Sequence, residues 1–224
     1  MDANIQGTKE LMKIEINNLE IRKKIYKVVK RITDIIGGII GLILLSPVFL
    51  ILAICIKIDS KGPVIFAHKR IGKNGKEFNM YKFRSMYKNA EEMIENFNEE
   101  QKIEWQENFK LENDPRITKV GKFLRKTSLD ELPQILNIIK GDLSIIGPRP
   151  IVDEELKKYG DNKEKFLSIT PGLTGYWQAN GRSNTTYEER MQMELYYIDN
   201  QSLLLDIKIF FKTIVSVIKK EGAM

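Results

Sequence analysis

The chain has 224 residues, and lysine and arginine outnumber aspartate and glutamate 36 to 30. That length allows one domain with a real core, and the positive balance favours anionic partners: nucleic acid, a membrane surface or phosphorylated small molecules. One cysteine, Cys55, excludes an intrachain disulfide, and one histidine, His68, argues against a Cys/His zinc site or a histidine-based hydrolytic triad.

Residues 1–18 are polar and read as a mobile start. A helix is expected from Leu19 into the uncharged run Ile35–Ile56. At the helical rise this run extends about 33 Å, close to the ~30 Å of a bilayer core. A secretory signal fits poorly, because the run starts late and no small-residue cleavage site follows. A buried core helix fits poorly too, since soluble core helices rarely run so long without charge. Ser46-Pro47 lies in the middle. Pro47 has no N–H for the Ile43 carbonyl, and Ser46 is placed to bond back to a preceding carbonyl and increase the bend. Lys23, Lys24, Lys27, Lys30 and Arg31 precede the run; Lys57, Lys61, Lys69 and Arg70 follow it. The positive-inside preference keeps both flanks in the cytoplasm. One helix meets that demand only by entering and turning back at Ser46-Pro47. The expectation is a re-entrant, broken membrane helix over residues 19–58 and a cytoplasmic, membrane-associated domain over 59–224.

Strand-like runs on either side of Asn74-Gly75 predict a β-hairpin. Tyr87–Leu111 is charged and helix-prone, and Asp114-Pro115 ends it. A helix then stops at Gly121 or continues to about Lys126. Another covers Ser128–Lys140, closed by Gly141. "DEELKKYG" and "TYEERMQMELYYIDN" read as surface helices. Near the end, Leu203, Ile207, Phe210, Phe211, Ile214 and Val217 form one helical stripe among lysines. This helix either packs into the core or lies on anionic lipid. The fold class is mainly α with a small β-hairpin (α+β), with interfacial amphipathic helices.

Four short stretches carry candidate chemistry. Ser128-Leu129-Asp130-Glu131 fits S-x-x-E, a capping box. The same turn also suits chemistry, because a carboxylate at a helix start is held in direction and kept ionised. Neighbouring residues on a helix do not share a face, so Asp130 and Glu131 are expected to do different jobs. Arg149 stands between Pro148 and Pro150, which leave it little backbone freedom. Gly172, Gly175 and Gly181 lead to Arg182, a backbone able to approach phosphate closely. Lys82 and Arg84, in "YKFRSM", complete the candidates.

In this order, the Ser46-Pro47 segment, "YKFRSM", "TSLDELPQ", "GDLSIIGPRP" and "GLTGYWQANGR" resemble the bacterial sugar transferases, monotopic phosphoglycosyl transferases that act on polyprenyl phosphate. The resemblance covers Lys30 to the C-terminus. It implies transfer of a sugar 1-phosphate from a UDP-sugar to undecaprenyl phosphate, with release of UMP, on the cytoplasmic face of the bacterial plasma membrane. It implies Asp130 as covalent nucleophile and Glu131 beside it, both toward Mg²⁺. Arg149 and Arg182 are then phosphate or nucleotide contacts, with Lys82 and Arg84 in support. "YWQANGR" looks more like members that initiate exopolysaccharide or capsule. Other classes weighed against this are a nucleotide-sugar pyrophosphatase, which shares the first step, and a non-enzymatic scaffold on anionic lipid. No helix-turn-helix or zinc pattern supports nucleic-acid binding. Homo-oligomerisation is left open.

Overall fold

The first helix, α1 (Asp2–Asp59), runs through Pro47 without interruption. Pro47 withholds the N–H that the Ile43 carbonyl would accept, and the Ser46 hydroxyl donates to that same carbonyl at 2.8 Å. The expected break is therefore not a break in the helix: the serine repairs what the proline removes. The computed structural model describes the backbone of residues 2–108, 111–181 and 185–219, and the side chains of 17–105, 111–181, 185–216 and 219.

From Tyr26 to Asp59, one face of α1 packs on the rest of the protein. Before Pro47, Lys30 pairs with Asp206 at 2.8 Å, and Asp34 Oδ1 accepts the Ile145 N–H at 2.9 Å. Arg31 donates to the carbonyls of Ile138 and Ile139 at 2.7 and 2.8 Å. After Pro47, Leu52 and Ile56 pack with Phe83 and Leu124, and Asp59 accepts the Val120 N–H at 2.9 Å. The opposite face is apolar and bare: Ile32, Ile36, Ile40, Ile43, Leu50, Ile54 and Ile58 are all exposed.

The hairpin is formed by β1 (Ile65–Ile71) and β2 (Glu77–Phe83), antiparallel, with Ile65 opposite Phe83 and Ile71 opposite Glu77. Its turn places Asn74 at φ 59° and Gly75 at φ 75°. Asparagine and glycine are the residues that enter this left-handed region at least cost.

The charged stretch that follows is two helices, α2 (Glu92–Glu95) and α3 (Glu99–Asn108), where one was expected. The reason lies in Asn98 and Gln101. Asn98 Oδ1 accepts the Gln101 N–H at 2.8 Å, and Gln101 Oε1 accepts the Asn98 N–H at 3.0 Å. That reciprocal pair restarts the helix. Arg116 lies buried beneath these helices, bidentate to Asp114 and over the Trp105 ring at 4.3 Å.

Next, α4 (Lys119–Thr127) starts at the Thr118 cap and passes through Gly121. Then α5 (Gln134–Lys140) ends at Gly141, φ 97°, as expected. A short parallel pair not anticipated from the sequence, β3 (Ser144–Ile146) and β4 (Gly172–Thr174), follows. A Cβ at Gly172 would strike the backbone of Gly147, so this close approach requires glycine. The remaining helices are α6 (Asp153–Leu156), α7 (Lys163–Leu167), α8 (Tyr176–Asn180), α9 (Tyr187–Asp199) and α10 (Leu203–Ile218).

One expectation for these helices needs correction, and one open choice is narrowed. The helix α9 is not simply on the surface; it buries Arg190, Glu194 and Tyr197. Its charged residues neutralise one another inside, so polarity there does not mean solvent. Among the described side chains of α10, Ile209 alone of the large apolar residues is fully buried, with Leu205 packed nearby. The predicted stripe points outward: Leu203, Ile207, Phe210, Phe211 and Ile214 are exposed. The side chain of Val217 lies outside the described residues.

Candidate active site

Asp130 and Glu131 sit in a tight 3-10 turn, Leu129–Glu131, between α4 and α5. Ser128 ends α4 in the left-handed region, φ 55°, and its side chain caps nothing. The capping box suggested by the sequence does not form. Glu131 turns instead to β2, where Lys82 Nζ lies 2.9 Å from Glu131 Oε1 and 3.8 Å from Asp130 Oδ2. Both carboxylates thus face one cation.

This meeting depends on the seating of α5 against β2. The fully buried Asn137 accepts the Tyr81 N–H at 2.9 Å and donates to the Asn79 carbonyl at 2.7 Å. A buried amide satisfied on both sides fixes one register. Lys82, next to Tyr81, is thereby held over the acid turn. From α4, Arg125 donates Nε to Ser85 Oγ at 2.9 Å, and its charge acts on Asp130.

Asp130 is only 9% exposed. Burial pushes its carboxyl upward; Lys82 opposes this, Glu131 adds to it and Arg125 opposes it again, with the balance upward. A poorly solvated carboxylate is a better nucleophile than one in water, and the cations beside it favour the ionised form that attacks.

The candidate arginines separate. Arg84 is buried at the C-terminal end of α1, donating to the Pro63 carbonyl at 2.6 Å, Ser60 Oγ at 2.6 Å and the Ser60 carbonyl at 2.8 Å. It satisfies helix-end carbonyls and is not brought to the acid turn. Arg182 lies outside the described residues.

Arg149 is held by backbone bonds on both sides. Gly172 N–H donates to the Pro148 carbonyl at 2.8 Å, and Ile71 N–H to the Ile151 carbonyl at 2.9 Å. The Arg149 N–H itself donates to Glu194 Oε1 at 3.1 Å. Its side chain is exposed, with the guanidinium 5.8 Å from the Trp177 ring centre; Arg190 lies 4.8 Å from the same ring. Glu194 also accepts from the Tyr159 hydroxyl and from Arg190 Nε. Burial pushes the Glu194 carboxyl upward against these partners.

Arg70, on β1, connects the two halves. Burial lowers its affinity for its proton, and so does the neighbouring Arg149 charge, while Glu155 and Glu131 oppose this. The charges of Glu131 and Arg149 thus both act on Arg70. Sequence reading missed Arg70, Arg125 and Arg190. Arg70 read only as a flanking charge of the apolar run. Arg125 precedes Asp130 by a left-handed turn that no periodicity announces.

The acid pair is suited to a divalent cation. The Lys82 ammonium already stands against oxygens of both carboxylates. Among the described residues no third His, Cys, Asp or Glu joins them. Two carboxylates with phosphate oxygens completing the shell is a usual arrangement for Mg²⁺.

Residues 25–220 match the family model described as bacterial sugar transferase. The chain is 44% identical over 225 residues to an undecaprenyl-phosphate galactose phosphotransferase of Salmonella typhimurium, covering 99% of this chain and 47% of that protein. It is 41% identical to a UDP-galactose-lipid carrier transferase of Erwinia amylovora, covering 96% of this chain and 45% of that protein. With the exopolysaccharide production protein ExoY of Sinorhizobium fredii the identity is 45%, over 87% of both chains. The chain thus spans about half the length of the first two relatives.

Proposed function

Because the chain belongs to the bacterial sugar transferase family, we propose that it moves a sugar 1-phosphate from a UDP-sugar to undecaprenyl phosphate, releasing UMP. The product is the first lipid-linked diphosphate sugar of a surface glycan of the exopolysaccharide, capsule or O-antigen type. The observation that carries this reading is the turn holding a nearly buried Asp130 beside Lys82, with the Arg125 charge also acting on it.

Asp130 attacks the sugar-bearing phosphorus. An aspartyl O–P bond forms, the bridging P–O bond to the uridine phosphate breaks, and UMP leaves with that oxygen. An oxygen of the lipid phosphate then attacks the same phosphorus and displaces Asp130. Two anions do not approach without help, and Lys82 and Arg125 reduce that repulsion from the enzyme side. Arg149, held by its flanking backbone, is presented to the diphosphate for two-pronged bonding. Glu131 orients Lys82. Asp130 and Glu131 would hold Mg²⁺, which when bound neutralises charge on the diphosphate.

The placement of α1 supports a membrane-dipped helix with both flanks on the cytoplasmic side. Residues 30–34 and residue 59 bond to the same body of the protein, while the bare apolar face between them looks away. Both stretches of α1 are thus anchored to one domain, which leaves the apolar face between them for lipid. The exposed apolar side of α10 gives a second contact with the bilayer surface.

The test is a trapped intermediate. With undecaprenyl phosphate withheld, a UDP-sugar labelled in the sugar is expected to leave label on the protein, mapping to Asp130. Adding the lipid is expected to move the label to lipid. Asp130→Asn is expected to abolish both UMP release and transfer, whereas Glu131→Gln slows the reaction and keeps the adduct. Rapid quenching without an adduct, together with turnover by Asp130→Asn, would sink the mechanism. UMP release that proceeds fully without lipid acceptor or adduct would favour a pyrophosphatase.

A further inference from the structure

A cleft of about 230 Å³ opens away from the acid turn, between α1 and the Ser168–Thr170 segment. The acid turn precedes α5, whereas this cleft reaches Gly141 at the other end of that helix. Lys27 and Lys73 line it, from α1 and from the hairpin tip respectively. Other polar groups on its walls are already engaged: Lys30 with Asp206, Arg31 with α5 carbonyls, and Asp34 with the Ile145 N–H. The Lys27 and Lys73 ammonium groups form no ion pair or hydrogen bond among the described residues, and the buried Ser144 hydroxyl in the lining has no partner.

Two unpaired ammonium groups at one cleft call for an anion. The position on α1 says which kind. Tyr26–Asp34 is the stretch immediately before the uncharged run begins at Ile35. The lipid phosphate layer lies just outside the hydrocarbon core. Gln201, also in the lining, leads into α10, whose Leu203 and Leu204 are exposed. The cleft is thus bordered by both surfaces that we assign to the bilayer. We infer that it holds the phosphate group of an anionic glycerophospholipid, which fastens α1 and the hairpin tip at headgroup depth. The inference rests on the membrane placement of α1 proposed above, not on the catalytic assignment.

Native mass spectrometry of the purified full chain in neutral detergent tests it, with phosphatidylglycerol and phosphatidylcholine as probes. One retained phosphatidylglycerol per chain is expected, in preference to phosphatidylcholine. Lys27→Gln/Lys73→Gln is expected to weaken retention by about 30-fold, at about 1 kcal/mol for each lysine at a lipid surface. Lys23→Gln/Lys24→Gln removes the same charge from exposed positions outside the lining and is expected to change little. Equal losses in the two variants, or equal retention of phosphatidylcholine, would overturn the inference. So would inorganic phosphate displacing the lipid at equal concentration, because the cleft would then be a free-anion site. UMP release in detergent is expected to be the same for Lys27→Gln/Lys73→Gln as for the parent chain. A parent chain that retains the lipid but releases no UMP would refute the proposed function and leave this inference standing.

Discussion

Replacing Lys82 with methionine keeps most of the side-chain volume and removes the cation facing the acid turn. The 3.8 Å separation from Asp130 sets the magnitude. A unit-charge pair near 4 Å is worth between about 1 kcal/mol in water and about 4 kcal/mol at a protein surface, or about 1 to 3 pH units. Lys82 keeps 24% of its side-chain exposure, so the lower half of that range is expected, about 1 to 2 pH units. The sign follows from the state required. Asp130 attacks only when ionised, and burial has already pushed its carboxyl upward, with Lys82 opposing. Without Lys82 the carboxyl rises further, and the acid limb of UMP release moves to higher pH. The assay is the pH profile of kcat/KM for UMP release, comparing the parent chain, Lys82→Met and Lys82→Arg. Arginine is expected to hold the limb near its original position. A limb that stays put in Lys82→Met while the plateau falls would refute the reasoning, and Lys82 would then act on substrate alone.

Two further outcomes separate the arginines. Arg149→Lys is expected to fold normally and lose about 10- to 100-fold in kcat/KM, the value of one hydrogen bond between charged groups; near-normal turnover would mean that the proline-flanked turn is merely rigid. Arg84→Met is expected to cost about 2 to 4 kcal/mol of stability, read as a lower urea midpoint, because it strips donors from buried carbonyls at the end of α1. Its activity per folded molecule should remain, and a stable but inactive protein would place Arg84 in the chemistry after all.

What could be read from the sequence was what local geometry alone decides. The hairpin turn needs residues tolerant of positive φ, and Asn74-Gly75 supplies them. Gly141 stops α5 for the same reason. The acid pair was found, but its setting was not. A local pattern at Ser128–Glu131 suggested a cap, whereas a lysine on a distant strand draws Glu131 away. Distance along the chain also hid Arg84, whose partners lie just past the end of α1. Strands of three residues are too short for an alternating pattern, so β3 and β4 gave no signal. Arg190 and Glu194 read as solvated charges because their mutual neutralisation exists only once α9 is packed. Ser46-Pro47 was legible as a perturbation, and the Ser46 bond to a preceding carbonyl forms as expected, within a helix that continues through Pro47.

The contact between Lys30 and Asp206 also sets a timetable. Asp206 is translated 176 residues after Lys30. At about 5 to 20 residues per second, Lys30 waits roughly 10 to 35 s for its partner to be made. During that interval the first half of α1 has no acid to receive its lysine, and Tyr26 lacks the same carboxylate. The apolar run has by then left the ribosome. On the membrane placement proposed for α1, lipid comes first and the domain second: the bilayer shelters Ile35–Ile56 while the hairpin and acid turn assemble, and α10 brings Asp206 to Lys30 last.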